Sequence, residues 1–490
     1  MTGPKIVVLG AGPTGLGAGY RLAELGHRNF HVYEREPYLG GLAASFTDSA
    51  GFTWDIGGHV MFSHYDYYDR VFETLVGDEH QLNMRESWVR LLDTWVPYPF
   101  QNNIRYLPPE ARLECLRGLI EAQQAGGHLA ARNFEEFVER VFGDGICTHF
   151  MKPYNFKVWA HPLSMLNKAW IGERVAVVDV DRALANIVLE KDDFGWGPNN
   201  RFKYPLRGGT GDFYRRFAKP LAGHLTLGKC VERVDPMRKR VRFDDGEIVG
   251  YDALISTLPL DKLCGEIIGP GMPAALREAA SRLRHSGGVM VGVGVRQPCP
   301  STRSWMYFPE SDCPFYRVTY LSNYSPYMTP GAGHYSLLCE TSYSEFKPVE
   351  TRTAIDSTIR GLVATGLIEE RDQDDVVSVW SYGADYSYPI PTVERDRILG
   401  EVVPYLEAQG IYPRGRFGLW KYEVSNTDHS LMQGVELVDR LLLGKPEVTV
   451  GTIYPSELAG RERAARPIVA GSGDPGPHRI RRSGRAASSG

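Results

Sequence analysis

The chain has 490 residues, 43% of them hydrophobic, which is long enough for a large buried core and for two to four domains. Its net charge of −4 does not favour a nucleic-acid partner, and no apolar run approaches the roughly 20 residues of a membrane helix, so we expect neither partner. Seven scattered cysteines without a CxxC pair, and no signal-peptide pattern, predict a cytoplasmic protein without disulfides or a metal.

The first predicted elements form a strand, a glycine turn and a helix. A buried strand, KIVVL, leads into GAGPTG, which contains Gly10, Gly12 and Gly15. A helical pattern follows, and a second strand ends at Glu34, where a ribose-binding carboxylate is expected. Gly10 permits a tight turn, Gly12 lets the backbone approach a pyrophosphate, and Gly15 allows close packing of helix on strand. The pattern predicts a dinucleotide-binding fold.

Three later segments favour FAD over NAD. Gly41 and Leu42 follow the ribose acid, RGGTG at 207–211 precedes a helical pattern, and DHSLMQG at 428–434 opens another. The succession resembles that of flavin amine oxidases, in which the first and last segments meet on one FAD. The predicted cofactor-binding residues are Gly10, Gly12, Gly15, Glu34, Gly41, Leu42, Gly208, Gly209, Asp428 and Met432.

Insertions interrupt this fold. Residues 108 to about 150 show helical periodicity, Asp245 and Gly246 predict a hairpin turn, and GVMVGVGV at 288–295 predicts a buried strand. We expect an α/β protein: an FAD-binding Rossmann-like domain with an inserted helical domain and an antiparallel-sheet substrate domain. The predicted divisions are 1–84, 206–296 and 397–460 (FAD-binding), 105–205 (mainly helical, uridine-binding), 85–104 and 297–396 (β-sheet) and 461–490 (disordered tail).

Three clusters carry candidate chemistry. GGHVMFSH at 57–64 places His59 on a tight or mobile loop, although a surface turn has the same pattern. The aromatic and amide residues of 95–103 and 153–159 suit a nucleobase, or equally an aromatic core. Arg174 and Arg317 lie in aromatic segments and would clamp a diphosphate if both faced one site; alone, each is typical of a surface ion pair.

Residues 5 to about 460 resemble the UDP-galactopyranose mutases of eukaryotic, fungal-like type. The stretches that carry the resemblance are GGHVMFSHY (57–65), WVPYPFQNN (95–103), KPYNFKVWA (152–160), GERVA (172–176), PLRGGTG (205–211), CPFYR (313–317), SNYSPY (322–327) and RGRFGLWKYEVSNTDHS (414–430). The short link between Tyr327 and Tyr335, Thr427 and the C-terminal tail depart from the fungal pattern. These departures leave the oligomeric state and the exact sugar open.

The resemblance assigns roles to individual residues. His59 would lie beside the flavin N5, with Arg416 near the flavin, and Arg174 and Arg317 on the diphosphate; these four are the predicted catalytic residues. The predicted substrate-binding residues are Phe62, Arg85, Tyr98, Phe100, Gln101, Asn155, Trp159, Asn199, Trp305, Tyr307, Tyr324, Tyr388, Tyr422 and Asn426.

The resemblance also implies an activity: interconversion of UDP-galactopyranose and UDP-galactofuranose through a flavin N5–sugar adduct, without net oxidation. It implies reduced FAD as the active cofactor, NADPH as its electron donor, a UDP-sugar substrate and a possible homo-oligomer. Three alternatives stay open. They are the same chemistry on a deoxy-hexose or arabinose nucleotide, an amine-oxidase-like FAD oxidoreductase, and a non-catalytic protein that binds flavin.

Overall fold

The structure is a computed structural model that describes residues 3–126, 130–171, 175–178, 180–194 and 197–451. The strands are, in chain order, β1 (Ile6–Leu9), β2 (Phe30–Tyr33), β3 (Ser45–Thr47), β4 (Thr53–Asp55), β5 (His80–Met84), β6 (Ser87–Leu91), β7 (Thr94–Pro97), β8 (Arg201–Pro205), β9 (Leu225–Thr226), β10 (Val231–Asp235), β11 (Arg240–Phe243), β12 (Ile248–Gly250), β13 (Ala253–Ser256), β14 (Arg284–Val295), β15 (Trp305–Tyr307), β16 (Arg317–Tyr320), β17 (Tyr335–Tyr343), β18 (Val376–Ile390) and β19 (Ile411–Pro413). The helices are α1 (Pro13–Glu24), α2 (Asp66–Leu75), α3 (Pro109–Ala125), α4 (Phe134–Ile146), α5 (Lys152–Trp159), α6 (Val180–Val188), α7 (Thr210–Arg215), α8 (Leu260–Lys262), α9 (Ala274–Ser281), α10 (Ala354–Ala364), α11 (Arg395–Ala408) and α12 (Thr427–Leu443).

A five-stranded parallel sheet forms the base of the dinucleotide fold, in the order β19–β13–β1–β2–β9. Its two faces are both covered, because alternate residues of β1 point into two separate cores. Ile6 and Val8 pack with α1, α2, α7 and α12, while Val7 and Leu9 pack with α9 and α11. Burial on both faces explains the continuous apolar run of β1. The predicted Rossmann-like α/β fold is confirmed.

A seven-stranded sheet forms the second layer, in the order β18–β14–β17–β16–β15–β6–β7. All of its pairs are antiparallel except β15 with β6, which run parallel. Here the structure differs from the predicted divisions, since β14 belongs to this sheet and not to the segment that ends at 296. A strand buried on both faces has the same apolar sequence in either kind of sheet, so the pattern of β14 did not distinguish them.

The glycines of β14 show why that strand is so closely covered. A Cβ at Gly292 would lie 2.5 Å from the Trp54 ring, and one at Gly294 would lie 2.7 Å from the Phe52 ring. The aromatic rings beside β4 therefore lie directly on the β14 backbone. This contact fixes the large sheet against the segment that leads into the loop after β4.

The helical insertion contains α3, α4, α5 and α6, and its main core also includes buried residues of β6, β7 and β18. It is joined to the parallel-sheet body by the antiparallel pair β5–β8, which links residues 80–84 to residues 201–205. The predicted boundaries at 84 and 205 are the last residues of β5 and β8. This strand pair therefore joins the predicted FAD-binding division to the predicted helical division. The tail predicted at 461–490 lies outside the described residues. Among the residues that the structure does describe, no helix is long and apolar enough to cross a membrane.

Glu436 fastens the segment that follows α12. Its side chain is 4% exposed and accepts hydrogen bonds from the backbone N–H groups of Val448 and Thr449 and from the Thr449 hydroxyl. Burial, with the charge of Glu447 adding to it, raises the Glu436 pKa from 4.5 to about 7. The folded chain therefore keeps this proton at pH values where the unfolded chain has lost it.

The Glu436 pKa leads to a prediction about stability. The stabilisation from its proton is complete below about pH 4.5 and is lost as the pH rises to about 7. In the Glu436→Gln variant, the free energy of unfolding should fall less steeply with pH across this window. The difference in slope should be up to about 1.4 kcal/mol per pH unit. Urea unfolding of wild type and variant across that window measures the difference. Identical pH slopes would show that Glu436 is ionised normally in the folded chain.

Candidate functional site

The glycine turn after β1 has open space beside Gly12 and close backbone packing at Gly15. A Cβ at Gly12 would meet only the Gly40 carbonyl oxygen, at 4.0 Å, whereas a Cβ at Gly15 would lie 1.9 Å from the Gly10 carbonyl oxygen. A Cβ at Gly41 would lie 3.3 Å from the Gly12 Cα atom. The two glycine segments of the sequence thus meet, and the space in front of Gly12 lies at the N-terminus of α1, where a phosphate is stabilised.

Glu34 directly follows β2, beside this turn. One carboxylate oxygen accepts the Ala11 N–H at 2.6 Å and the other accepts the Glu36 N–H at 2.9 Å. The side chain is 8% exposed. The acid therefore fixes the turn on which Gly12 lies, and each oxygen retains a lone pair for a further donor.

The C-terminal helix α12 returns to the same place. A Cβ at Gly434 would lie 2.0 Å from the Thr14 carbonyl oxygen, and a Cβ at Gly17 would lie 2.4 Å from the Leu431 carbonyl oxygen. Close backbone contact of α1 with α12 brings the first and last glycine-containing segments together, as the sequence predicts. Met432 is completely buried in this contact.

The Asp428 carboxylate, at the start of α12, lies between two histidines. His64 Nδ1 is 2.7 Å from one oxygen, which also accepts the His64 backbone N–H, and His429 Nδ1 is 3.2 Å from the other. Although burial alone would raise it, His429 and His64 hold the pKa of Asp428 well below its usual range. The three side chains have the composition of a metal ligand set. The 2.7 Å contact, however, is a hydrogen-bond distance. With the carboxylate engaged, the start of α12 offers a cofactor mainly its N–H donors.

The pair Gly208–Gly209 precedes α7 and packs against a buried acid. A Cβ at Gly209 would lie 2.4 Å from Asp55 Oδ1. Asp55 accepts hydrogen bonds from the hydroxyls of Ser45, Tyr204 and Thr210. This network holds the start of α7 against β3 and β4, which follow the glycine pair at 40–41 in the chain. Residues 208–209 therefore lie beside the predicted cofactor site.

The loop after β4 carries His59 into a cationic environment. Burial and then the charge of Arg416, with Arg317, lower the His59 pKa to about 4, so the imidazole is neutral at pH 7. Its Nδ1 atom is buried and makes no hydrogen bond with the described residues. The ring therefore keeps a donor or acceptor site for a bound group.

Arg317 opens β16 and is held by a residue that the sequence analysis missed. Its Nε and Nη2 atoms donate to the two oxygens of Glu340 at 2.6 and 2.8 Å. Glu340 lies on β17 and is 4% exposed. Its partners come from distant segments, so no local pattern marks it. The available signal was one acid within the apolar strand YSLLCETSY.

Aromatic rings and cations adjoin this pair. The Arg416 guanidinium lies 4.9 Å from the centre of the Tyr388 ring, and that ring lies 5.8 Å from the ring of Trp159. The Tyr388 hydroxyl is hydrogen-bonded to the Tyr316 hydroxyl at 3.2 Å. The Trp305 indole N–H donates a hydrogen bond to the Tyr307 hydroxyl oxygen at 2.6 Å. These residues and their neighbours form a set that we call the aromatic–arginine cluster: His59, Arg85, Tyr98, Trp159, Asn199, Trp305, Tyr307, Arg317, Tyr324, Tyr388, Arg416 and Tyr422.

Further contacts make the cluster continuous. Tyr98 lies 5.4 Å from Tyr307 and 5.2 Å from Arg85, whose Nη1 donates to Asn199 at 2.6 Å. Tyr324 lies 6.4 Å from Trp305, and Tyr422 lies 4.7 Å from Trp159. Burial raises the pKa values of the hydroxyls of Tyr307, Tyr324 and Tyr388, which therefore remain protonated donors. Fixed cations with neutral hydroxyl donors and flat rings suit a nucleotide diphosphate.

The chain matches a known protein family over most of its length. Residues 13–419 match the family of flavin containing amine oxidoreductases. A crystal structure of reduced UDP-galactopyranose mutase is 44% identical, with a TM-score of 0.89, over 96% of this chain and 99% of that one. The chain belongs to the flavin-containing amine oxidoreductases and, among them, to the UDP-galactopyranose mutases. It is therefore a flavoprotein enzyme, and FAD is its cofactor, as the glycine segments predict.

More distant relatives and structures are also similar to this chain. A fatty acid isomerase from P. acnes that produces CLA has a TM-score of 0.60 at 14% identity, over 90% of this chain and 99% of that one. The 15-cis-phytoene desaturase of Synechococcus elongatus is 35% identical in an alignment that covers 53% of this chain and 58% of the desaturase. The chain spans less than two thirds of the length of the curated relatives that it matches.

The described residues of this mutase-family chain fit FAD. Gly12 faces open space at the start of α1, Glu34 follows β2 beside it, and the first half of α12 packs on α1. Phe62 adjoins the same region, since its ring lies 5.4 Å from that of His64. A long cofactor would extend from the glycine turn along the start of α12 towards the loop that carries His59.

Some predicted substrate residues are engaged elsewhere. The Phe100 residue is fully buried, and its ring stacks 4.6 Å from that of Phe150. Asn155 donates to the Met151 carbonyl at 2.7 Å, and Gln101 donates to the Ala176 carbonyl. Their amide oxygens remain for a ligand. Asn426 precedes α12 without capping it through its side chain. Arg174 lies outside the described residues.

Proposed function

We propose that this chain interconverts UDP-galactopyranose and UDP-galactofuranose with reduced FAD and without net oxidation. The observation that carries the proposal is the fixed guanidinium of Arg317 among buried tyrosine hydroxyls, next to the loop of His59. An amine oxidase has no need for a site that binds a diphosphate. The full-length likeness to a reduced UDP-galactopyranose mutase supports the same conclusion.

The residues divide by the part of the substrate that they would contact. We assign the uridine to Tyr98, Phe100, Gln101, Asn155 and Trp159, and the diphosphate to Arg174, Arg317, Tyr307, Tyr324, Tyr388 and Tyr422. We assign the sugar, or a loop that closes over it, to Phe62, Arg85, Asn199, Trp305 and Asn426. We assign the edge of the flavin to His59 and Arg416. Arginine and tyrosine donors would stabilise the charge that develops on UDP as it leaves.

Bound FAD in its reduced form would supply a nucleophilic nitrogen, N5, at the anomeric carbon of the sugar. His59 stays neutral at pH 7 and would therefore hydrogen-bond at the flavin edge without adding charge. We propose NADPH as the electron donor, which would bind in the substrate site. All seven cysteines are free, which supports a reducing, cytoplasmic location. A homo-oligomer is compatible with this proposal.

The proposal predicts a flavin-dependent but redox-neutral activity. Anaerobic enzyme reduced by dithionite should convert UDP-galactofuranose to UDP-galactopyranose over many turnovers, and no reductant should be consumed in proportion to product. Chromatography of the nucleotide sugars measures conversion. Equal turnover by the oxidised enzyme would contradict the role of reduced flavin. Conversion of an arabinose or deoxy-hexose nucleotide alone would change the sugar, and net electron transfer from an amine to oxygen would replace the mutase by an oxidase.

A further inference from the structure

Lys157 is a buried cation on α5, between the helical insertion and the seven-stranded sheet. The residue is 7% exposed. Its Nζ atom donates to the backbone carbonyl oxygens of Glu310 at 2.6 Å and of Cys313 at 2.9 Å, and lies 3.5 Å from Cys313 Sγ. These three acceptors match the three N–H donors of an ammonium group. Burial lowers the Lys157 pKa from its usual value, because the charged form loses water on folding. The hydrogen bonds to residues 310 and 313 therefore have to offset that loss.

The two sides of α5 contact different parts of the molecule. Asn155 and Trp159 are four residues apart, so they share one side of the helix. The Trp159 ring lies 4.7 Å from the ring of Tyr422, and the proposed function assigns Asn155 and Trp159 to the uridine. Lys157 is two residues from each of them and extends from the opposite side of the helix to residues 310 and 313. One helix thus carries both the uridine contacts and the lysine bridge.

The segment that Lys157 binds joins two residues that the proposed function assigns to the diphosphate. Tyr307 ends β15, Arg317 begins β16, and the two residues are paired directly across this hairpin. Residues 308–316 connect them, and Lys157 binds this connection at positions 310 and 313. Arg90 of β6 holds the same connection from within the sheet, through the side chains of Glu310 and Asp312. Lys157 adds to it a contact with the uridine helix.

We propose that Lys157 is a positioning residue that sets the separation between the uridine side of α5 and the diphosphate pair of Tyr307 and Arg317. The inference rests on the proposed function, which assigns these two parts of the substrate. A ligand that spans two sites gains affinity from both only where their separation matches the ligand. UDP spans both sites, whereas uridine occupies one. Loss of the lysine bridge should therefore weaken the binding of UDP much more than the binding of uridine.

The test compares the dissociation constants of UDP and of uridine for the reduced holoenzyme. Titration calorimetry measures UDP binding, and ligand-observed NMR titration measures the weaker binding of uridine. We expect the wild type to bind UDP at least about tenfold more tightly than uridine. Lys157→Met keeps the length of the side chain but removes its donors. UDP affinity should then fall by about tenfold or more, while uridine affinity stays within about twofold of the wild type. The KM for the nucleotide sugar should rise in parallel, and the FAD content should stay normal.

Two further variants guard against a general effect on folding. Lys157→Arg keeps a buried cation but places its N–H groups in one plane, so it should lower the preference for UDP over uridine by a smaller factor. Lys229→Met is the matched control, because the Lys229 side chain is 11% exposed and pairs with Asp245 and Glu247 away from the site. It should retain the wild-type preference.

Two results would overturn the inference. One is an unchanged preference for UDP in a Lys157 variant that retains FAD, and the other is an equal loss of UDP and uridine affinity. A wild type that binds UDP no more tightly than uridine would overturn it as well. Failure of the proposed function gives a different result, because the wild type would then show no turnover and bind neither ligand.

Discussion

Arg317→Ala should lower kcat/KM for the nucleotide sugar by about one to three decades. A charge-assisted hydrogen bond contributes about 1.5–3 kcal/mol, and more in a site that is closed from water. About 1.4 kcal/mol corresponds to a tenfold change in rate. The guanidinium is pre-oriented by two bonds to Glu340, so its contribution should reach the upper part of that range. Steady-state kinetics with reduced enzyme measures the loss.

The same substitution leaves the Glu340 carboxylate buried without its cation, which lowers stability as well. Arg440→Ala is a matched control, because Arg440 is held by two buried glutamates, Glu407 and Glu447, and its side chain is 17% exposed against 22% for Arg317. Both variants should unfold at lower temperature, but only Arg317→Ala should lose kcat/KM when assayed well below that temperature. Similar losses from both would show that the effect is structural.

Arg317→Lys should recover only part of the activity. The two oxygens of Glu340 are bound by Nε and Nη2 of one planar fork, and an ammonium group cannot reproduce both contacts together with a diphosphate. The FAD content of these variants should remain normal, since Arg317 lies outside the glycine segments that form the cofactor site.

The strand–turn–helix geometry after β1 could be predicted from the sequence because its rules are local. The roles of Gly10, Gly12 and Gly15 follow from backbone geometry within six residues and agree with the distances at the β1–α1 turn. Resemblance supplied what local rules could not, namely that the helix beginning near Asp428 returns to the same turn.

Other features could not be predicted from sequence because they depend on segments far apart in the chain. Glu340 accepts a hydrogen bond from the Gly58 backbone N–H, which lies 282 positions away, and nothing near either residue indicates the other. The placement of β14 failed for a related reason, since burial on both faces gives one apolar pattern in parallel and antiparallel sheets. The stacking of Phe100 on Phe150 and the hydrogen bond from Asn155 to Met151 likewise depend on how the helical insertion packs, which composition alone does not show.

Gly12→Val should give a folded protein that does not retain FAD. A Cβ at this position has only one neighbour within 4 Å, the Gly40 carbonyl oxygen at 4.0 Å, and its backbone φ of −72° suits any residue. The added methyl groups would occupy the space where we place the pyrophosphate, so FAD affinity should fall by at least about two decades, or ~2.8 kcal/mol. Flavin absorbance after gel filtration and equilibrium titration of the apoprotein with FAD measure the loss, and circular dichroism checks the fold.

Two further glycines make this result specific to the cofactor. Gly383→Val, on the exposed side of β18 with no atom within 4 Å of its Cβ, should keep both fold and FAD. Gly15→Ala should instead damage the fold itself, because its Cβ would lie 1.9 Å from the Gly10 carbonyl oxygen. If Gly12→Val retains FAD with wild-type affinity, the pyrophosphate does not approach the β1–α1 turn, and the orientation of the cofactor towards His59 has to be reassigned.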